Sequence, residues 1–198
     1  MKRFNSCGLK VLKEKEDDNI MDALIRVYFI ETGFGWAAAG AILAVMFGGV
    51  GSARGIRIAG AQAAGVLSEK PELFGKLLVL MALPGTQGFY SFICAIMIAL
   101  RCGIIAGAVT ISPIVGIAIF VVAICMGIVQ WRSAISQGEA SAAAINLTSK
   151  QPGESGRAIL IPALVETYAV ISLLASILLI IWFTKEGGLS FLTPSAGK

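Results

Sequence analysis

Four long stretches free of charge constrain this chain more than any other feature. Residues 32–53, 77–100 and 102–131 carry no Asp, Glu, Lys or Arg, and residues 158–184 carry only Glu166. Their lengths are 22, 24, 30 and 27 residues. A helix rises about 1.5 Å per residue, so roughly 20 apolar residues cross a hydrocarbon core of about 30 Å, and each stretch is long enough to span. Composition agrees, with 57% hydrophobic and 14% charged residues and a mean hydropathy of +0.83. A water-soluble domain carries about 25% charged residues. The expected fold is an all-α membrane protein with four transmembrane helices.

Of the 28 charged residues, 12 lie in the first 31 positions, and Lys13 to Asp18 reads KEKEDD. With few large apolar side chains, residues 1–20 read as an N-terminal extension, disordered or interfacial, with Met21 as an alternative natural start. The acids and the missing small-residue cleavage site argue against a signal sequence. Cys7, Cys94, Cys102 and Cys125 form no CxxC pair, and the chain has no histidine to complete a zinc set. They read as small core hydrophobes.

The polar turns LSEKPELFGK (Leu67 to Lys76) and LTSKQPGESGR (Leu147 to Arg157) occupy equivalent places in two halves. A shift of 78 residues lays Arg54 on Arg132, Gly60 on Gly138, Ala64 on Ala142 and Pro84 on Pro162. The chain therefore reads as two tandem helical hairpins, residues 21–103 and 104–184, with a short tail at 185–198. Each unit holds two helices, so the second re-enters on the side of the first and the repeats are parallel, not inverted. Gly48, Gly49, Gly51, Gly55, Gly60 and Gly65, with the small residues of 133–144, let the first and third helices approach closely as an inner layer. The second and fourth, bulkier with Phe89, Tyr90, Phe92 and Trp182, form an outer layer facing lipid. GVGSARG at 49–55 lacks the Lys-Ser/Thr of a phosphate loop and sits in an apolar helix, which excludes it as a nucleotide site.

Lys70, Lys76, Lys150 and Arg157 favour cytoplasmic hairpin turns, with Arg54, Arg57 and Arg132 toward the same ends and the termini outside. Arg101 and Lys185 lie on the opposite side, and the basic residues before Met21 oppose the assignment.

Glu166 demands an explanation, because an acid at a helix centre costs about 2.5 to 3.5 kcal/mol on insertion scales and marks ion pathways. On the second helix Leu83, Thr86, Gln87 and Tyr90 fall at i, i+3, i+4 and i+7, one face offering a carbonyl, a hydroxyl, an amide and a phenol. Pro84 and Pro162 loosen the nearby carbonyl ladder. Gln130 is the other strongly polar side chain in an uncharged run and needs a partner. Several neutral oxygens around one carboxylate suit a monovalent alkali cation, whereas a divalent ion collects more acids and a proton needs fewer ligands. Sodium is the first choice and H⁺ the alternative.

LPGTQGFY (Leu83 to Tyr90), VETYAV (Val165 to Val170), GIVQ (Gly127 to Gln130) and GVLSEKPELFGK (Gly65 to Lys76) resemble the K-type proteolipids of V-type sodium ATPases. The resemblance covers residues 21–184. It implies a ring of identical subunits turning against a membrane stator subunit. A central stalk on the cytoplasmic face would join that ring to a head that hydrolyses ATP in a prokaryotic cell membrane. It implies Na⁺ ligands at the Leu83 carbonyl, Thr86, Gln87, Gln130 and Glu166, with Tyr90 steadying the carboxylate. One carboxylate per four helices means fewer ions per turn, which suits a pump against a steep gradient more than a synthase. Arg54 and Arg132 read as snorkelling or as lining the interior of such a ring of subunits, and not as taking part in ion transfer.

The competing readings are a proton-carrying ring, a small secondary transporter and a purely structural membrane protein. A transporter needs gates and discontinuous helices that one acid and two short turns do not supply. With no histidine, phosphate loop or nucleophile–base pair, the chain is not an enzyme alone and has no organic cofactor or nucleic-acid partner.

Overall fold

The computed structural model describes residues 19–107 and 111–185. Four helices are long and apolar enough to cross a membrane: α1 (Phe34–Glu69), α2 (Pro71–Arg101), α3 (Pro113–Lys150) and α4 (Pro152–Phe183). A π-helical turn, Arg26–Glu31, precedes α1 and is tied to it by Trp36 Nε1 donating to the Phe29 carbonyl at 3.0 Å. The expected N-terminal extension lies outside the described residues except for 19 and 20, which open a helix. The tail after Lys185 lies outside them as well.

Both hairpin turns are built alike. Helices α1 and α3 end at Glu69 and Lys150, and Pro71–Leu73 and Pro152–Glu154 then form single 3-10 turns, proline opening each because its fixed φ and missing N–H cost nothing there. At the other end of α2 the backbone closes in a Schellman motif. Gly103, at φ 70°, follows the last helical residues, Ile104 N–H donates to the Ala99 carbonyl at 3.0 Å and Gly103 N–H to Leu100 at 3.3 Å. Ser112 caps α3, with Pro113 at its first position.

The inner pair is α1 and α3, and small residues are what let it form. A Cβ added at Gly138 would lie 2.5 Å from the Gly55 carbonyl oxygen, and one at Gly51 would lie 2.6 Å from Trp131 Cα. Such contacts are possible only between backbones without side chains between them. Gly49, Gly60 and Gly65 meet nothing within 4 Å inside the protomer, so the glycines split into packing and non-packing sets that the sequence does not separate. On α2 and α4 the outward positions are large and apolar, among them Phe89, Leu164, Ile171 and Leu178. Cys94 and Cys102 are buried as expected, but Cys125 is exposed on α3 and is no core residue; Cys7 lies outside the described residues. Arg54 and Arg132 are both exposed, Arg54 with its guanidinium 5.9 Å from the Trp131 ring centroid.

Two apolar clusters fill the bundle. One, toward the turns, holds Leu77, Leu80, Ala144 and Ile145; the other, toward the far end, holds Ile98, Ile119, Met126 and Ile180. Between them lies a buried polar layer of Gln87, Ser91, Gln130, Ser133 and Gln137.

Candidate ion-binding site

The site begins with a local break in α2. Pro84 cannot donate to the helical ladder, and residues Leu83–Gly85 tighten into a 3-10 turn before α-helix resumes at Thr86. Helix α1 holds that turn: Ser52 Oγ donates to the Gly85 carbonyl at 3.3 Å and accepts from Gly88 N–H at 2.8 Å. Sequence reasoning missed Ser52, whose sole outward signal is a hydroxyl in a glycine-rich stretch. Pro162 lies just past a smaller break in α4: the helix stops at Ala158, turns at Ile159 and resumes at Leu160, and the missing N–H of Pro162 falls in the first turn of the resumed segment Leu160–Phe183.

From the turn a chain of hydrogen bonds runs to the acid. Thr86 Oγ1 donates to the Leu83 carbonyl at 3.0 Å and lies 3.4 Å from Gln87 Oε1. Gln87 Nε2 donates to Gln137 Oε1 at 2.5 Å, and Gln137 Nε2 reaches the Pro162 carbonyl at 3.1 Å and Glu166 Oε2 at 3.3 Å. Tyr90 Oη donates to Glu166 Oε1 at 2.5 Å. The carboxylate is partly buried and receives one donor on each oxygen, as a charge shielded from bulk water requires.

Leu83, Thr86, Gln87, Tyr90 and Glu166 are thus brought together as expected. Gln130 is not. Its Nε2 donates to the Ala169 carbonyl and to Ser172 Oγ, both at 2.8 Å, and it makes no hydrogen bond to Glu166 or Gln87. The amide that joins the cluster is Gln137, two turns further along α3. The uncharged run stops at Trp131, yet Arg132 and Glu139 lie on the exposed face of a helix that continues to Lys150. On its buried face Gln130, Ser133, Ala134, Gln137, Gly138 and Ser141 follow at helical spacing, a pattern that points to Gln137 once the helix is traced through its charges.

Four helices of membrane-spanning length in two tandem hairpins, with a carboxylate held among neutral oxygens between them, define a paired-hairpin membrane proteolipid. The sequence profile of the ATP synthase C-subunit family matches the chain twice, at residues 39–98 and 120–179. The chain belongs to that family, as a rotor proteolipid and an integral membrane protein of ion transport that is not catalytic alone. It is similar to the V-type sodium ATPase subunit K of Enterococcus hirae, 35% identical over 138 residues, 70% of this chain and 85% of that one. It is also similar to the A-type ATP synthase subunit K of Methanocaldococcus jannaschii, 39% identical over 148 residues, 75% of this chain and 63% of that one. The two matched segments start at 39 and 120. That offset fits the turns, where Pro71 matches Pro152, whereas the 78-residue offset holds for Pro84 and Pro162. The first hairpin has three more residues between its turn and its proline.

Proposed function

We propose that this proteolipid binds and carries Na⁺ at Glu166, with the Leu83 carbonyl, Thr86, Gln87 and Gln137 supplying neutral oxygen and Tyr90 steadying the carboxylate. The supporting observation is the unbroken polar chain from the Leu83–Gly85 turn through Gln87 and Gln137 to Glu166. Sodium entering the cluster exchanges hydrogen bonds among these groups for coordination by their oxygens, and one carboxylate balances one monovalent charge. The relative named a sodium ATPase subunit favours the same ion. Identical copies form the ring, which turns against a membrane stator subunit. A central stalk joins it on the cytoplasmic face, with hairpin turns inside and termini outside.

Hydrophobic carbodiimide labelling of purified rings tests this, since the reagent modifies a protonated carboxyl in apolar surroundings. Glu166 is the acid expected to react, and millimolar sodium protects it at fixed pH. Labelling that is indifferent to sodium but suppressed by raising pH assigns the proton as cargo instead. Labelling that maps to Glu139 or Glu154 removes the site altogether.

A further inference from the structure

Gln130 makes no hydrogen bond to the cluster around Glu166, yet it is fully buried, its amide nitrogen spent on α4 and its amide oxygen without a hydrogen-bond partner among the described residues. Its acceptor on α4, the Ala169 carbonyl, lies three residues beyond Glu166. Gln137 donates to the Pro162 carbonyl, four residues before Glu166. The two glutamines are seven residues apart on α3, and their two acceptors are seven residues apart on the antiparallel α4. Seven residues are close to two helical turns, so the pair forms two rungs on facing sides of α3 and α4, with Glu166 between them.

We propose that Gln130 is a positioning residue for ion binding, setting the height and rotation of α4 so that Glu166 meets Tyr90 and Gln137. One rung fixes a point on a helix and leaves it free to rotate about that point. A second rung two turns away fixes the register. Each rung ends on a backbone carbonyl and so holds α4 itself; Gln137 Nε2 also reaches Glu166 Oε2, whereas Gln130 makes no hydrogen bond to the Glu166 side chain. An apolar residue at 130 would fill the same space, but it would leave the Ala169 carbonyl without its donor from α3. Ser172 cannot replace the rung, because its hydroxyl sits on α4 and donates to Ala169 within the same helix, at 2.9 Å.

The proposal rests on Glu166 being the ion-carrying carboxylate. Assembled rings of wild type, Gln130→Met, Gln130→His and Ser172→Ala are labelled with carbodiimide, once across pH without sodium and once across sodium at fixed pH. In Gln130→Met the sodium concentration for half-protection is expected to rise by roughly 3-fold to 10-fold, and the pH midpoint of labelling to move with it. Gln130→His, which keeps an N–H donor of similar reach, recovers at least half of the loss, and Ser172→Ala stays within about twofold of wild type. Met and wild-type curves that superimpose in both series overturn the proposal, as does a Ser172→Ala loss equal to that of Met. Should Gln130→Met fail to assemble, Gln130→His decides: wild-type curves support the rung and a full loss overturns it. Absence of sodium protection in wild type sinks the sodium reading alone, because the pH series still judges the rung.

Discussion

Tyr90 and Glu166 belong to different hairpins, 76 residues apart in sequence, and their side chains meet at 2.5 Å. That bond closes the site between α2 and α4, which pack on each other further along through Cys94, Ile98, Leu173 and Ile180 and meet at their ends where Arg101 Nε donates to Thr184 Oγ1 at 2.9 Å. It also divides the chemistry between the hairpins. The first supplies the phenol, the amide and the broken turn, and the second supplies the acid and Gln137. Neither hairpin is complete without the other, which accounts for one carboxylate serving four helices.

Tyr90→Phe removes the phenolic donor and leaves the ring in place. The Glu166 carboxylate then loses one of its two donors, a charge-assisted bond worth about 1.5 to 3 kcal/mol when intact. Half-protection of Glu166 by sodium should therefore require roughly 10-fold to 150-fold more sodium, measured by carbodiimide labelling at fixed pH. Unchanged protection would mean that the tyrosine is packing and nothing more.

Thr86→Val removes a neutral oxygen that makes no bond to the acid, and Gln137→Leu removes a neutral oxygen together with one of the two donors to Glu166. Sodium affinity should fall by roughly 5-fold to 150-fold in each, the equivalent of about 1 to 3 kcal/mol, while Glu166 remains open to labelling when sodium is absent. If both variants keep wild-type protection, the neutral cluster does not hold the ion. The proton-carrying ring then becomes the better account.

The hairpins, the two prolines and most of the cluster were readable from residue chemistry because lipid punishes isolated polar groups, so each one stands out. Glu166, Gln87 and Thr86 announce themselves in this way. Gln137 was hidden by its neighbours: Arg132 and Glu139 end the uncharged run, although they lie on the other face of the same helix. Burial by face, and not by run length, is what decides the matter for a 38-residue helix much longer than a bilayer. The glycines were ambiguous for a related reason. Composition shows that backbones can approach, while the position of the partner helix determines which glycines are used.

Gly138→Ala tests that distinction. The new methyl would lie 2.5 Å from the Gly55 carbonyl oxygen, and backbone on both sides cannot yield without parting α1 from α3. Overpacking of this kind costs about 1 to 3 kcal/mol. Gly60→Ala meets nothing within 4 Å in the protomer and gains helix propensity of about 1 kcal/mol. Thermal unfolding of the detergent-solubilised protein should show Gly138→Ala destabilised and Gly60→Ala unchanged or improved. Equal behaviour of the two would refute the close α1–α3 approach.

Cys102 sits just past the end of α2, where burial pushes its thiol up to about 11 against the opposing pull of Arg101. A raised thiol favours the protonated, unreactive form, so at pH 8 only about 0.1% is thiolate. A water-soluble maleimide should leave Cys102 unmodified in the folded protein at pH 8. Its rate should climb about tenfold per pH unit toward pH 11 and become fast at pH 8 after denaturation. Rapid modification of Cys102 in the native state at pH 8 would contradict its burial.

The two hairpin turns are joined at one end of the bundle, and this gives orientation a direct test. Lys70 Nζ donates to the Ser149 carbonyl at 2.6 Å, and Lys76 Nζ to the Pro152 carbonyl at 2.8 Å, so each lysine of the first turn reaches backbone of the second. Both turns therefore emerge on one side of the membrane, whichever side that is. Glu72 and Gly153 are exposed there and make no contact that a cysteine would disturb, Gly153 having nothing within 4 Å of an added Cβ. In a background with the native cysteines replaced, Glu72→Cys and Gly153→Cys should react together with an impermeant maleimide. Reaction in inside-out vesicles and protection in intact cells would agree with cytoplasmic turns, where the lysines and Arg157 satisfy the bias of positive charge toward the cytoplasm. Reaction in intact cells would invert the assignment and leave the fold untouched. Reaction of the two cysteines from opposite sides would contradict the parallel hairpins themselves.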